Sequence, residues 1–181
     1  MDTEPEKPRT RNTAPGKRIG QGMWIIFWCL FLGGLAMIFA QLEEQKYNPN
    51  QQLQSTTTST SRQIQLTANR YGHYLLPGHI NGKSVNFLID TGATEVVIPG
   101  RMAERLELPR GLAHWVRTAN GEIEVFRTHI NQLKIGPITL TNIPASINPH
   151  MDGEILLGMS ALRHLEMRQA NNQMTLEQRI K

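Results

Sequence analysis

Apolar positions along this chain follow two unlike patterns. Residues 23–42 read MWIIFWCLFLGGLAMIFAQL without a single charge. About twenty helical residues rise roughly 30 Å, the thickness of a bilayer's hydrocarbon core. From residue 62 onward the apolar positions come instead in short runs, many alternating with polar ones as strands do. Alternation marks 63–67 and 73–76, and an apolar run fills 85–89. Asn81-Gly82 lies before that run and Asn120-Gly121 lies between 115–119 and 122–126. Asn-Gly between apolar runs is the strongest short-range hairpin signal. Further strands are expected at 130–135, 138–143 and 155–157. Asn171-Asn172 turns the chain into a last one at 174–178. Pro99 opens a short helical stretch, and 159–165 reads as a second. Many short strands with one or two short helices predict an all-β fold, a compact closed barrel.

The flanks divide the rest. Residues 1–22 are polar, rich in Pro and Gly, and read as a disordered tail. Residues 43–61 are mostly Gln, Ser and Thr and read as a flexible linker, with a reach of about 25 Å. The expected organisation is thus tail 1–22, transmembrane helix 23–42, linker 43–61 and folded domain 62–181. Lys7, Arg9, Arg11, Lys17 and Arg18 precede the apolar run, whereas Glu43 and Glu44 follow it. The positive-inside bias therefore predicts a cytoplasmic N-terminus and a domain on the extracytoplasmic side. A cleaved signal peptide ending at Ala40 is the competing reading. The long leader, the long apolar run and Ile38 at a small-residue position weigh against it.

Composition narrows the chemistry. The net charge of +4 is spread along the chain, with no basic block interleaved with aromatics, so no nucleic-acid partner is expected. Cys29 is the only cysteine, which excludes an intrachain disulfide and a thiolate metal cage. The six histidines lack any H-E-x-x-H spacing, and neither a metal nor another cofactor is expected. Ser160, in Gly-Met-Ser-Ala-Leu, lacks the second glycine of a serine-hydrolase elbow and reads as a helix-start residue.

One stretch stands out. The apolar run 85–89 ends in Asp90-Thr91-Gly92-Ala93. Each of Asp, Thr and Gly suits a plain turn. Yet Leu156-Leu157-Gly158 follows later, leads into the second helical stretch, and has the Asn120-Gly121 hairpin lying between. In this order the elements resemble the aspartic proteases of the pepsin and retroviral protease clan. With the preceding apolar helix, the chain is similar to the bacterial, membrane-anchored, retropepsin-like type.

The resemblance implies Asp90 as the catalytic carboxylate, with Thr91, Gly92 and Ala93 supporting its loop. It further implies Leu156, Leu157 and Gly158 as the motif threading behind that loop, and Asn120 and Gly121 as the tip of a flap. Two carboxylates about 3 Å apart share one proton and so supply both a base and an acid to peptide hydrolysis. With one Asp-Thr-Gly per chain, the second carboxylate has to come from a homodimer partner. The expected activity is endopeptidase, acting on protein or peptide substrates from the inner membrane. A non-catalytic binding module on the same barrel is the alternative, and intact Asp90 and Thr91 favour the enzyme. Retroviral enzymes tie their dimers with an acid after Asp-Thr-Gly-Ala and an arginine after the closing glycine; Thr94 and Met159 stand there instead. The usual sheet of interleaved termini is accordingly in doubt.

Overall fold

A computed structural model describes residues 16–118 and 121–180, with side chains from residue 22 onward. The expected tail therefore lies largely outside the described residues. The chain divides into a helical unit up to Glu43 and a β unit from Glu44 onward.

Helix α1 (Gly16–Tyr47) starts within the expected tail and runs past the expected end of the apolar stretch. Its segment Gly22–Tyr47, 26 residues containing an 18-residue window of mean hydropathy 2.3, is long and apolar enough to cross a membrane.

Among the described residues, the β unit holds eleven strands in two sheets. The smaller is formed by β1 (Gln54–Thr57), β2 (Ser61–Thr67), β10 (Glu166–Ala170) and β11 (Gln173–Arg179), in the order β1-β2-β11-β10. The larger contains β3 (Leu75–Ile80), β4 (Lys83–Ile89), β5 (Val96–Pro99), β6 (Ala113–Thr118), β7 (Gly121–Ile135), β8 (Ile138–Asn148) and β9 (Ile155–Leu157). Its order is β3-β4-β9-β5-β8-β7-β6, and β3 also pairs with β7, so the sheet closes on itself. Helices α2 (Gly100–Arg105) and α3 (Met159–Leu162) are short. The architecture is a mostly-β barrel, as the alternating pattern predicts.

Turn chemistry sets the register. Asn81 (φ 49°) and Gly82 (φ 82°) join β3 to β4, and Asn171 (φ 47°) with Asn172 (φ 65°) joins β10 to β11. Positive φ at both central residues is the type I′ geometry whose twist suits a two-residue hairpin, and Asn tolerates it. The small sheet is not an appendage. Its Ile64, Leu66, Met174 and Leu176 are buried in the same cluster as Leu133, Ile135 and Ile138 of the barrel. The Gln178 side chain adds a clamp, donating to Thr139 O at 2.8 Å and accepting from Thr139 N at 3.3 Å.

Residues 43–61 differ most from expectation. They are not a loose tether: α1 continues to Tyr47, Asn48 and Asn50 are buried, and 54–57 form strand β1. Hydrogen bonding, together with Leu53 packed against the core, orders this segment. The Asn50 side chain accepts from Thr67 N at 2.7 Å and donates to Thr67 O at 3.0 Å and Leu75 O at 2.7 Å. Asn69 Nδ2 donates to Tyr47 O at 3.1 Å. Removing a buried side chain with several backbone partners leaves those partners unsatisfied, at about 1–3 kcal/mol. Asn50→Ala is accordingly expected to lower unfolding free energy by about 2–3 kcal/mol in urea titrations. A loss below about 0.5 kcal/mol would show that the segment is not anchored through Asn50.

Candidate active site

The site is built where β4 ends. Val85 and Phe87 point into the core, and the strand delivers Asp90 at its exit. Strand β9 runs parallel to β4, with Phe87 opposite Ile155, Leu88 opposite Leu156 and Ile89 opposite Leu157. It also pairs antiparallel with β5 through Val97 and Leu156. The three residues 155–157 thus wedge between the strands that enter and leave the Asp90 loop. Asp90 N donates to Leu157 O at 3.2 Å, continuing the ladder onto the aspartate itself.

Within the loop, Gly92 N donates to Asp90 Oδ1 at 2.9 Å, and Ala93 N to Asp90 O at 3.3 Å. The carboxylate is half-buried, and Thr91 and Gly92 are exposed at its rim. Gly92 has a further role, because a Cβ there would lie 3.2 Å from Asp90 Oδ1 and press on the carboxylate. The far side of the loop is bonded to α3. Met159 N donates to Ala93 O at 2.8 Å, and Ser160 N to Thr94 O at 2.9 Å.

Sequence reading treated Ser160 only as a helix-start residue, but its hydroxyl does more. It accepts from Val96 N at 2.9 Å and donates to Pro144 O at 2.8 Å, joining the loop's exit to β8. Glu95, the loop's other acid, accepts from the Ser146 hydroxyl at 2.5 Å. Neither link leaves a trace in spacing, since the partners lie far apart in sequence. Asp90, Thr91, Gly92, Ala93, Leu156, Leu157 and Gly158 are therefore brought into one bonded unit.

Gly121 lies elsewhere, at the start of β7. It pairs with Thr118 in a hairpin whose register runs back to Ala113 opposite Phe126. Its φ of 114° requires glycine, and Thr118 Oγ1 donates to Gly121 O at 2.9 Å. Asn120, the other expected tip residue, lies outside the described residues.

A cavity of about 380 Å³ opens nearer the start of β4, lined by Tyr47, Leu75, Pro77, Asn86 and Glu154 among others. Burial there pushes the Glu154 carboxyl above its ordinary value. Asp90 does not line that cavity.

Residues 76–164 match the family model described as gag-polyprotein putative aspartyl protease. The structure is similar to the crystal structure of a retropepsin-like aspartic protease from Rickettsia conorii, with a TM-score of 0.58 and 23% identity. That likeness covers 70% of this chain and 99% of the other. A curated relative, an uncharacterized protein in the cobV 5′ region of a Sinorhizobium species, is 32% identical over 119 residues. The match covers 63% of this chain and 51% of the relative, so the chain spans about half the length of that protein. Family match and fold agree with the geometry of the loop. The chain has a retropepsin-like fold, and just under half of it matches the aspartyl protease family model.

Proposed function

We propose that this protein is a membrane-anchored aspartic endopeptidase whose working form is a homodimer, with Asp90 of each copy completing the other's site. The observation that carries the reading is Asp90 itself. It is a half-buried carboxylate fixed at a strand end, hydrogen-bonded to the Gly92 amide, and open at its rim to a second carboxylate. Thr91, Gly92 and Ala93 hold the loop, and the wedge at 155–157 with Gly158 holds it from behind.

The chemistry follows from two carboxylates sharing one proton. The ionised one takes a proton from a water lying between them as that water's oxygen bonds to the scissile carbonyl carbon. The protonated one gives its proton to the carbonyl oxygen. The tetrahedral adduct then collapses: the protonated carboxyl gives its proton to the amide nitrogen, the C–N bond breaks, and the ionised carboxylate takes a proton from an adduct hydroxyl. The dyad ends with one proton, as it began. The hairpin of β6 and β7 is the flap that covers substrate, and its opening and closing gate turnover.

Helix α1 serves as an uncleaved anchor. Basic residues before it set the N-terminus in the cytoplasm and the β unit on the extracytoplasmic side of the inner membrane.

Mixing wild-type chains with an Asp90→Asn variant tests the shared site. In an equal mixture at fixed total chain, random pairing leaves about a quarter of the dimers with two aspartates, whereas independent monomers keep about half of the activity. Cleavage of a peptide library by full-length protein in detergent micelles is expected to fall to about a quarter. Activity holding at half would overturn the homodimeric mechanism.

A further inference from the structure

The half-equipped site demands a second copy, and the structure offers it few places to dock. Among the described residues, the sheet edges with no partner strand are those of β1, β6 and β10, and β3 is covered on its outer side only at His79 and Ile80. We infer that the second copy docks on β10, pairing antiparallel with its own equivalent around Met167, so that the two small sheets become one continuous sheet across the two-fold axis. The inference rests on the homodimeric reading above.

Position singles out β10. The axis has to pass close to Asp90, and β10 begins at Glu166, just after α3 ends at Leu162. Helix α3 is bonded to the Asp90 loop through Met159 N–Ala93 O and Ser160 N–Thr94 O. A partner held on β10 is therefore held close to the loop. β1 is at the opposite edge of the same sheet, three strand spacings or roughly 14 Å away. β6 is an arm of the flap, and a partner along it would obstruct the cleft that substrate enters.

Interleaved termini are not available to form a shared sheet. The last strand, β11, is already paired on both edges inside one chain, with Ser61–Thr67 of β2 along Arg179–Gln173 and with β10 on its other side. What remains for a partner is the outer edge of that sheet.

The sequence of β10 is self-complementary in one register only. Centred on Met167, an antiparallel pair sets Glu166 against the partner's Arg168 and Arg168 against the partner's Glu166. Centred on Arg168, it sets two arginines face to face. Opposite charges across strands are favourable and like charges unfavourable, so charge selects the first register. Met167 lies on the face of its sheet neighbour Leu176, which is buried in the core, yet Met167 itself is 37% exposed. Docking brings the two Met167 side chains together and extends that apolar layer across the axis. Most edge strands deter pairing with proline, bulges or repelling charges. β10 carries one acid and one base, Glu166 and Arg168, whose ion pair within the strand can be exchanged for two pairs across the axis, while Arg179 also faces Glu166.

Two experiments on the full chain in detergent micelles test this, both with Cys29→Ser to remove the free thiol of α1. In the first, Met167→Cys is mildly oxidised. Residues directly opposite in an antiparallel pair have Cα atoms about 4.5–5.5 Å apart, within disulfide range. Most chains are expected to link as dimers, while Thr56→Cys on β1 links none above background. Equal linking by the two variants would overturn the interface.

The second experiment uses charge. Glu166→Arg and Arg168→Glu chains are each expected to dimerise about tenfold or more weakly in sedimentation, with two pairs reversed per dimer. An equal mixture restores both pairs and recovers to within about threefold of wild type. A mixture no better than its components would overturn the register. If the mixing assay with Asp90→Asn still gives a quarter while Met167→Cys fails to link, the shared active site stands and β10 is not the interface.

Discussion

Asp90→Asn is expected to lower peptide cleavage by about a thousandfold or more, because a dimer of the variant lacks both carboxylates, and with them the base and the acid. Little else should change. Among the described residues the side chain makes one hydrogen bond, accepting from Gly92 N at 2.9 Å, and asparagine keeps that acceptor. Unfolding free energy should therefore stay within about 1 kcal/mol of wild type. Dimerisation should not weaken either, since two carboxylates brought within about 3 Å repel when both are ionised and two amides do not. The measurement is kcat/KM on a cleaved library peptide, with a urea titration and sedimentation on the same preparations. Residual activity above about a tenth of wild type would remove Asp90 from the chemistry. A collapsed fold would instead reveal a structural carboxylate, an outcome the single bond at Gly92 argues against.

The parts of this fold that depend on local chemistry were open to sequence reading. Asn81-Gly82 and Asn171-Asn172 announce their hairpins because few residues accept positive φ at both central positions. Strand β4 reads as apolar because Val85 and Phe87 fill the core, and its exit into Asp-Thr-Gly places Asp90 at a strand end. Gly158 could be singled out through its motif, although not for the contacts that make it necessary.

What escaped was held by long-range polar bonds. β1 reads Gln-Ser-Thr-Thr and is exposed throughout, so it shows no apolar periodicity. It is ordered by pairing with β2, on a segment fastened through Asn50. β10 is likewise polar, Met167 apart, and emerges as a strand only because β11 pairs along its whole length. Strands β7 and β8 extend beyond their apolar stretches for a related reason. Once Ile130 to Ile135 and Ile138 to Ile143 zip together, the ladder continues to Phe126 opposite Ile147. The Ser160 hydroxyl meets Val96, 64 residues away, and nothing in local pattern announces such a bond.

Gly158→Ala is expected to be the most destabilising conservative substitution in the β unit. The reason is contact, not backbone strain: with φ −90° and ψ −175°, the residue has a conformation any amino acid adopts. A Cβ placed there collides with Glu95 O and lies 2.6 Å from Glu95 C and 2.7 Å from Ala93 O. All three are backbone atoms of the Asp90 loop, and they cannot turn aside as a side chain does. To admit one methyl group, the loop must move away from α3, breaking Met159 N–Ala93 O and Ser160 N–Thr94 O. Overpacking alone costs about 1–3 kcal/mol, and two strained hydrogen bonds add about 1 kcal/mol each. The expected total is about 3–5 kcal/mol, enough to lower Tm by roughly 10 °C or more in a domain of this size. Activity should fall as well, since the displaced loop carries Asp90. Gly92→Ala supplies the contrast, because its Cβ meets only Asp90 Oδ1 at 3.2 Å. That variant should lose activity while keeping nearly all of its stability. Thermal unfolding and peptide cleavage on both variants separate the two roles. A Gly158→Ala protein melting within about 2 °C of wild type would mean that the loop yields easily, and that the wedge at 155–157 does not set the position of Asp90.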